Sequence, residues 1–201
     1  MQDLGNKKAP GGDGIPKEVW KSVVTILPKY LTAIYNGCLK DGVFPNRWKK
    51  AKVIPIVKPG TEGSDEVNKF RPISLLDSGG KVLEKLLINQ NKHHKDSREH
   101  MSDNQFGFRP QTSTVDAALA LKTFLQESLD AGGEVVAMMS LDEQGAFDAA
   151  WWLGILRELK EYKCPRKLYK LTMSYFTQRT AAVATNSLNA EKTVSRGCPQ
   201  G

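Results

Sequence analysis

The apolar residues of the first forty positions recur at intervals of three and four. Val19 and Val23, and then Leu31 and Ile34, follow this spacing, which is typical of amphipathic helices. Pro28 interrupts the run, and a proline inside a helix removes a hydrogen bond and clashes with the preceding turn. The pattern therefore predicts either one helix or a pair of helices broken near Pro28.

Short β-branched runs indicate strands further along. Residues 53–57 and the stretch "FRPISLL" surround a polar loop that contains glycines, so we predict a β-hairpin. Pro55 cannot donate to a ladder, which predicts that the first of these strands lies at a sheet edge. A second hairpin is predicted over a turn at Asn186–Asn189.

Helical patterns fill most of the remaining chain. They begin near Lys81, within residues 112–114 and after Phe147, and a fourth covers "KLYKLTMSYFTQR". Thr112, Ser113 and Thr114 are all candidate caps for the second of them. Helices and strands alternate, so the order predicts an α/β (α+β) fold with helices packed on a sheet.

One apolar run ends abruptly in acid. Glu134–Leu141 has the composition of a buried strand, and Asp142 follows it directly. A carboxylate at that point either turns toward water or caps the next helix, or it is neutralised by a cation such as Mg²⁺. Asp148, six residues later, is placed where a helix cap or a first-turn acid stands.

Charge and cysteine content narrow the class of protein. The 201 residues carry a net charge of +7 and have a pI near 9.3, which favours a polyanionic partner, nucleic acid first, or simply keeps a protein soluble. The three cysteines are widely spaced, as in reduced intracellular proteins. No apolar run approaches the ~20 residues of a membrane span, and we expect an intracellular protein without a membrane partner.

Several loops carry candidate binding residues. Lys58 and Arg71 flank the first predicted hairpin, where two cations either grip a phosphate chain or remain solvated. In "QFGFR" the cation Arg109 stands beside two aromatic residues, a mixture that stacks on bases or anchors a loop. The terminal "GCPQG" has glycines that permit close backbone approach to a ligand, and it is equally a plain turn.

The order of these blocks resembles the reverse transcriptase of non-LTR (LINE-type) retrotransposons. The blocks are "KAPGGDGIPKEVW", "FPNRWKKAKVIPIVKPG", "FRPISLLDSGGKVLEKLL", "MSDNQFGFRPQTSTVDA", "SLDEQGAFDAAWW" and "GCPQG". The resemblance implies a right-hand polymerase. Residues 1–130 would form the fingers and the entry to the palm, and residues 131–201 the first part of the palm.

The resemblance also implies roles for individual residues. Asp142 would be the first catalytic aspartate, which binds two Mg²⁺ ions, joined by the main-chain carbonyl of Glu143. The nucleotide-binding residues implied are Lys58, Arg71, Phe147 and Gln200. The residues implied to position the template are Arg109, Gly197, Pro199 and Gly201. The implied partners are an RNA template, a DNA primer or target and deoxynucleoside triphosphates, and the oligomeric state is left open.

Departures from the family pattern leave an alternative open. Glu143 and Gln144 replace an apolar residue and a frequent lysine, and "DSGGK" carries an extra glycine that is expected to loosen a helix start. The family's second aspartate block is expected beyond Gly201, so we expect this chain alone to be inactive. A truncated palm sheet would also expose an unpaired edge and apolar surface, so we expect the chain to be poorly soluble. The alternative function is a non-catalytic, basic nucleic-acid-binding remnant, either a pseudogene product or a co-opted module.

Overall fold

The computed structural model describes residues 9–96, 102–132, 135–143, 145–184 and 189–199. Seven helices and four strands lie in these residues, and the mixed α/β prediction is confirmed. The helices are α1 (Lys17–Ile26), α2 (Pro28–Asp41), α3 (Ser78–Asp96), α4 (Thr114–Asp130), α5 (Ala146–Ala149), α6 (Trp152–Glu161) and α7 (Arg166–Phe176). The strands are β1 (Lys50–Val57), β2 (Phe70–Leu75), β3 (Arg179–Ala184) and β4 (Asn189–Val194).

The helix boundaries follow local chemistry. The break between α1 and α2 falls at Leu27, immediately before Pro28, so the helix pair is the predicted arrangement that forms. Ser113 is the cap of α4, and it forms a reciprocal capping box with Asp116. The Asp116 amide donates to Ser113 Oγ at 3.3 Å, and the Ser113 amide donates to Asp116 Oδ2 at 2.7 Å. These hydrogen bonds satisfy two backbone N–H groups that otherwise have no partner at the start of a helix.

The four strands form one sheet in the order β2-β1-β3-β4. Both predicted hairpins are present, because β1 pairs antiparallel with β2 and β3 pairs antiparallel with β4. The prediction that β1 is an edge strand is wrong: β1 also pairs in parallel with β3. That second ladder stops at Val53, so Pro55 has a strand neighbour on the β2 side only and its missing N–H breaks no bond.

The chain divides into two units, Met1–His94 with Gly145–Gly201, and Lys95–Gln144. The sheet and the main core belong to the first unit. Phe44, Leu83 and Leu171 are fully buried where α2, α3 and α7 meet. Tyr175 packs edge-on against Phe44 with ring centroids 5.1 Å apart. The core therefore lies between helices from distant parts of the sequence.

The segment before α1 is attached to the start of α3. The Asp13 amide donates to Asp77 Oδ1 at 3.0 Å, and the Asp77 side chain is 4% exposed. A Cβ at Gly11 would lie 2.5 Å from the Asp77 amide nitrogen, so no other residue fits this approach. The glycine-rich opening is thus a close contact with the core rather than a free loop.

The two glycines of "DSGGK" do not loosen α3, contrary to expectation. The helix begins at Ser78 and includes both. A Cβ on Gly79 would lie 2.8 Å from the rings of Trp20 and Trp48, and one on Gly80 would lie 2.9 Å from Trp48 Cβ. The absence of side chains at these positions admits the two indole rings.

The strand predicted over Glu134–Leu141 does not form in its described part, residues 135–141. Residues 135–143 have no regular structure, and Val135 and Met139 are 85% and 82% exposed. A strand needs a hydrogen-bonded neighbour, and no strand of the described residues pairs with this segment. Along the described parts of the chain, no helix has the length and apolar character required to cross a bilayer.

Candidate functional site

The block "GAFDAAWW" and residues 197–199 of the block "GCPQG" lie side by side in the first unit. The Cys198 amide donates to the Phe147 carbonyl at 2.7 Å, and the Gly197 amide donates to the Ala150 carbonyl at 2.9 Å. Trp152 Nε1 donates to the Gly197 carbonyl at 2.7 Å. Three hydrogen bonds therefore hold these segments together, and we call this arrangement the 147–198 clasp.

Gly197 is required for the clasp. Its φ is +92°, in the left-handed region, and a Cβ there would lie 2.9 Å from the Asp148 carbonyl oxygen. Either condition alone excludes most side chains. The sequence marked Gly197 as a site of close backbone approach, and the structure shows that the approaching group is α5 of the same chain.

A cavity of about 160 Å³ opens between the clasp and one face of the sheet. The lining includes two of the predicted site residues, Gly197 and Pro199, together with Asp148. Its other lining residues are Ala51, Pro72, Ser74, Trp152, Arg179, Thr180, Ala181, Val194, Arg196 and Cys198. Asp148 and Arg196 give it charges of both signs, so the cavity can bind polar groups.

A buried polar cluster borders this cavity. Arg179 is 4% exposed; its Nη1 donates to the Tyr175 carbonyl at 3.2 Å and its guanidinium lies 4.3 Å from the centre of the Tyr175 ring. The Tyr175 hydroxyl donates to Glu84 Oε1 at 2.5 Å. Burial first, and then the neighbouring Glu84, raise the pKa of the Tyr175 hydroxyl and of the Cys198 thiol. Both groups are therefore neutral hydrogen-bonding groups at physiological pH.

Sequence reasoning missed this cluster. Arg179 and Tyr175 lie at the junction of α7 and β3, and Glu84 lies on α3. Each stands in an ordinary amphipathic or strand pattern, so no local signal distinguishes it. Only the long-range packing of α3 against α7 brings the three together.

Lys58 and Arg71 lie on the first hairpin. The Lys58 amide donates to the Lys69 carbonyl, and Arg71 pairs with Ile56. Because side chains alternate along a strand, this register places Lys58 and Arg71 on one face as diagonal neighbours. Arg71 is exposed, and the Lys58 ammonium donates to the Asn68 carbonyl at 2.7 Å.

The same alternation separates Arg71 from the cavity. Pro72 and Ser74 of β2 line the cavity, and Arg71, between them and the hairpin turn, projects from the other face of the sheet. The predicted site residues of the first unit therefore form two separate groups. Lys58 lies near Arg71 on the hairpin, and Gly197 and Pro199 lie near Phe147 at the clasp.

Asp142, Glu143 and Arg109 belong to the second unit. Asp142 and Glu143 are exposed. Arg109 donates from Nη1 to the Ser102 carbonyl at 3.2 Å and forms an ion pair with Asp103 at 3.4 Å. These contacts hold the 102–112 loop together. Gln200 and Gly201, predicted to bind nucleotide and template, lie outside the described residues.

The Asp142 carboxylate and the main-chain carbonyl of Glu143 are oxygen donors of the kind that Mg²⁺ prefers. They supply part of a ligand set: among the described residues, no three His, Cys, Asp or Glu side chains come together as metal ligands. These two positions therefore match magnesium in the type of donor atom that they offer, and they do not form a complete set of ligands.

Comparison with known proteins gives one family. A model of the reverse transcriptase (RNA-dependent DNA polymerase) family matches residues 56–201. A retrovirus-related Pol polyprotein from the type-1 retrotransposable element R1 of Bradysia coprophila is 34% identical over 97% of the chain. The RNA-directed DNA polymerase from mobile element jockey of Drosophila melanogaster is also 34% identical over 97% of the chain.

A third relative, the probable RNA-directed DNA polymerase from transposon BS of Drosophila melanogaster, is 33% identical over 100% of the chain. The match covers 19%, 21% and 22% of these three proteins, respectively. The chain thus spans about a fifth of the length of the curated relatives it matches, and the resemblance to non-LTR retrotransposon sequences is confirmed.

Proposed function

The chain belongs to the reverse transcriptase (RNA-dependent DNA polymerase) family, and from this premise we propose that it forms part of a retrotransposon RNA-directed DNA polymerase. The substrates of the whole protein would be an RNA template, a DNA primer or target and deoxynucleoside triphosphates. The observation that carries the proposal is the family match over residues 56–201, since it spans the hairpin cations, Asp142 and the clasp in one continuous alignment.

The hairpin cations have the geometry for a phosphate chain. Lys58 and Arg71 share a face, and Arg71 is free to offer its planar fork to phosphate oxygens. Lys58 uses one of its three ammonium protons on Asn68, which leaves two for a ligand. We assign these two side chains to the triphosphate of the incoming nucleotide.

The clasp provides a fixed backbone surface against which the sugar and base of a nucleotide can pack. The Phe147 carbonyl is fixed by Cys198, while its ring is 54% exposed. An exposed ring on a fixed backbone can exclude a 2′-hydroxyl by contact alone. We assign this role to Phe147, and we assign Gly197, Pro199, Gln200 and Gly201, with Arg109, to positioning of the nucleotide and template.

Asp142 and Glu143 are assigned to magnesium. When bound, the two expected ions stabilise charge on the phosphates and activate the primer hydroxyl. The chain's own contribution is the Asp142 carboxylate, with Glu143 beside it. In this proposal residues 1–130 remain the fingers and the entry to the palm, and residues 131–201 the first part of the palm.

The proposal is tested with a polypeptide that continues this chain into a second aspartate block. Extension of a primed RNA template with labelled deoxynucleotides is measured for that polypeptide and for its Asp142→Asn variant. We expect the variant to lose at least ~10³-fold in rate, since it removes a metal-binding carboxylate from an electrostatic mechanism. Asp148→Asn is the matched control and should retain much more activity.

Equal activity of Asp142→Asn and the parent polypeptide would contradict the proposal. The 201-residue chain alone is expected to incorporate no nucleotide. The alternative function, a non-catalytic basic nucleic-acid-binding remnant, is favoured by Glu143, which adds a second negative charge beside Asp142. It predicts salt-sensitive RNA binding by an extended polypeptide that never extends a primer.

A further inference from the structure

A second concave site lies on the first unit. It is a groove of about 470 Å³ between the end of α2, the Asn46–Lys49 turn, α7 and the residues that follow α7. We call it the α7 groove. It shares no lining residue with the cavity beside Gly197, so the function proposed above does not use it.

Lys49 lines the α7 groove and is 3% exposed. Within the described residues its ammonium has no carboxylate partner and no hydrogen-bond acceptor. Burial, and then the positive charge of Arg179, lower the pKa of Lys49. Partial desolvation and a neighbouring cation both disfavour the charged ammonium, and an anion bound in the groove would offset them.

A second lysine, Lys170, also lines the groove. A Cβ on Gly42 would lie 2.6 Å from Lys170 Cβ, so the glycine that ends α2 lets this helix approach α7 directly. Lys170 is exposed. Asn46 and Gln178 add amide groups that can donate hydrogen bonds. No aspartate or glutamate lies among the residues lining the groove.

Two segments that border the groove, residues 46–52 and α7, add further positive charge. Residues 46–52, "NRWKKAK", contain four cations and no acid, and α7 contains three cations and no acid. An isolated phosphate needs only one such site, whereas a strand presents a phosphate at every nucleotide. The extended basic rim therefore favours a polyanion over a single small anion.

We propose that the α7 groove binds a phosphate of a nucleic-acid strand, with Lys49 and Lys170 as its cationic contacts. The identity of the ligand as nucleic acid rests on the proposed function; the anion site itself rests on the groove. It gives the chain a nucleic-acid contact outside the cavity of the clasp and away from the hairpin cations.

The test measures RNA binding by the 201-residue chain and its variants. Anisotropy of a labelled single-stranded RNA of about 20 nucleotides is recorded between about 50 and 200 mM salt. Lys49→Met and Lys170→Met are each compared with Lys29→Met, which removes the same charge from an exposed position at the opposite end of α2. Because Lys49 is buried, Lys49→Met could disturb the core. Lys170 is exposed, so Lys170→Met tests the groove without that complication.

Each groove variant should remove about one phosphate contact. The slope of log affinity against log salt should then fall by about 0.7, and binding at ~0.1 M salt should weaken about fivefold. Lys29→Met should bind like the parent chain. If both groove variants match Lys29→Met in slope and affinity, the site is overturned.

Side-chain NMR of ¹³C-labelled lysine separates the possible sources of phosphate. A Lys49 resonance that shifts and saturates with the RNA supports the proposal. A resonance that saturates with inorganic phosphate and is unmoved by RNA overturns the assignment to a strand. The two proposals can fail separately, because RNA binding by the lysine variants tests the groove, whereas primer extension by the Asp142→Asn variant tests the polymerase assignment.

Discussion

At the scale of single residues, Asp77 shows how burial changes a side chain's role. It lies immediately before α3, and its carboxylate accepts a hydrogen bond from the backbone amide of Asp13, 64 residues earlier in the chain. Burial is the main cause that raises the pKa of its carboxyl, although Arg47 and the bound amides act against it. The side chain therefore stabilises the N-terminal segment while its own charge is disfavoured.

We predict opposite effects for two substitutions of Asp77. Asp77→Ala loses the acceptor of the Asp13 amide and should lower the free energy of unfolding by about 1–3 kcal/mol. Asp77→Asn retains an acceptor and removes the disfavoured charge, so it should be at least as stable as the parent at pH 7. Urea denaturation of both variants measures the difference.

The pH dependence of the parent chain provides the control for this prediction. Because the folded-state pKa of Asp77 is raised, the native state retains its proton after the unfolded chain has lost it. The contribution of Asp77 to stability therefore falls as the pH rises from the unfolded value near 3.9. Asp77→Asn should show a shallower fall than the parent over that range, and an unchanged slope would contradict this role.

At the scale of elements, local chemistry and long-range packing can be separated. The α1–α2 break, the Ser113 cap and both hairpins depend on neighbouring residues. The sequence predicted the hairpins, gave the break as one of two alternatives and named Ser113 among three candidate caps. The inner position of β1 depends on β3, which is far away in sequence, so Pro55 alone gave the wrong answer. Gly79 and Gly197 are determined by partners that no local pattern reveals.

The same separation applies to the candidate site. The family pattern named Gly197 and Phe147, but not the hydrogen bond that joins their segments or the Arg179 cluster beside them. The apolar composition of Glu134–Leu141 predicts a strand because it indicates a preference for burial. Composition does not supply the neighbouring strand that a ladder requires.

Two glycines on different helices give a matched prediction. Gly79→Ala places a methyl group 2.8 Å from Trp20 and Trp48 and should destabilise the protein by about 1–3 kcal/mol through overpacking. Gly37→Ala lies within α2 with nothing within 4 Å of the new atom, and should stabilise it by roughly 0.5–1 kcal/mol. Thermal melts of the two variants that shift in the same direction would contradict the packing argument.

At the scale of the whole molecule, apolar surface is unevenly covered. The first unit has its core between α2, α3 and α7. By contrast, no residue of α4 is buried, and Val115 and Phe124 are each 64% exposed. Exposed apolar residues of this kind on one element favour association with other apolar surfaces.

We therefore predict that the 201-residue chain self-associates through α4. Leu119→Glu and Phe124→Glu should reduce association without loss of stability, because neither residue is buried. Val67→Glu, at a position 89% exposed in the first unit, is the matched control and should leave association unchanged. Light scattering coupled to size exclusion measures the mass, and a parent chain that is monomeric at all concentrations would refute the prediction.

The parallel pairing of β1 with β3 has a consequence for biosynthesis. Lys50 pairs with Thr180, 130 residues later, and the ribosome adds about 5–20 residues each second. A hairpin closes in about 1–10 μs, so the β1–β2 ribbon can form as soon as Leu75 has been made, 105 residues before Thr180. It then waits roughly 5–21 s for its parallel neighbour to be translated. Throughout that interval one flank of β1 is unpaired, and nascent chains on one polysome are most vulnerable to pairing with each other at this flank.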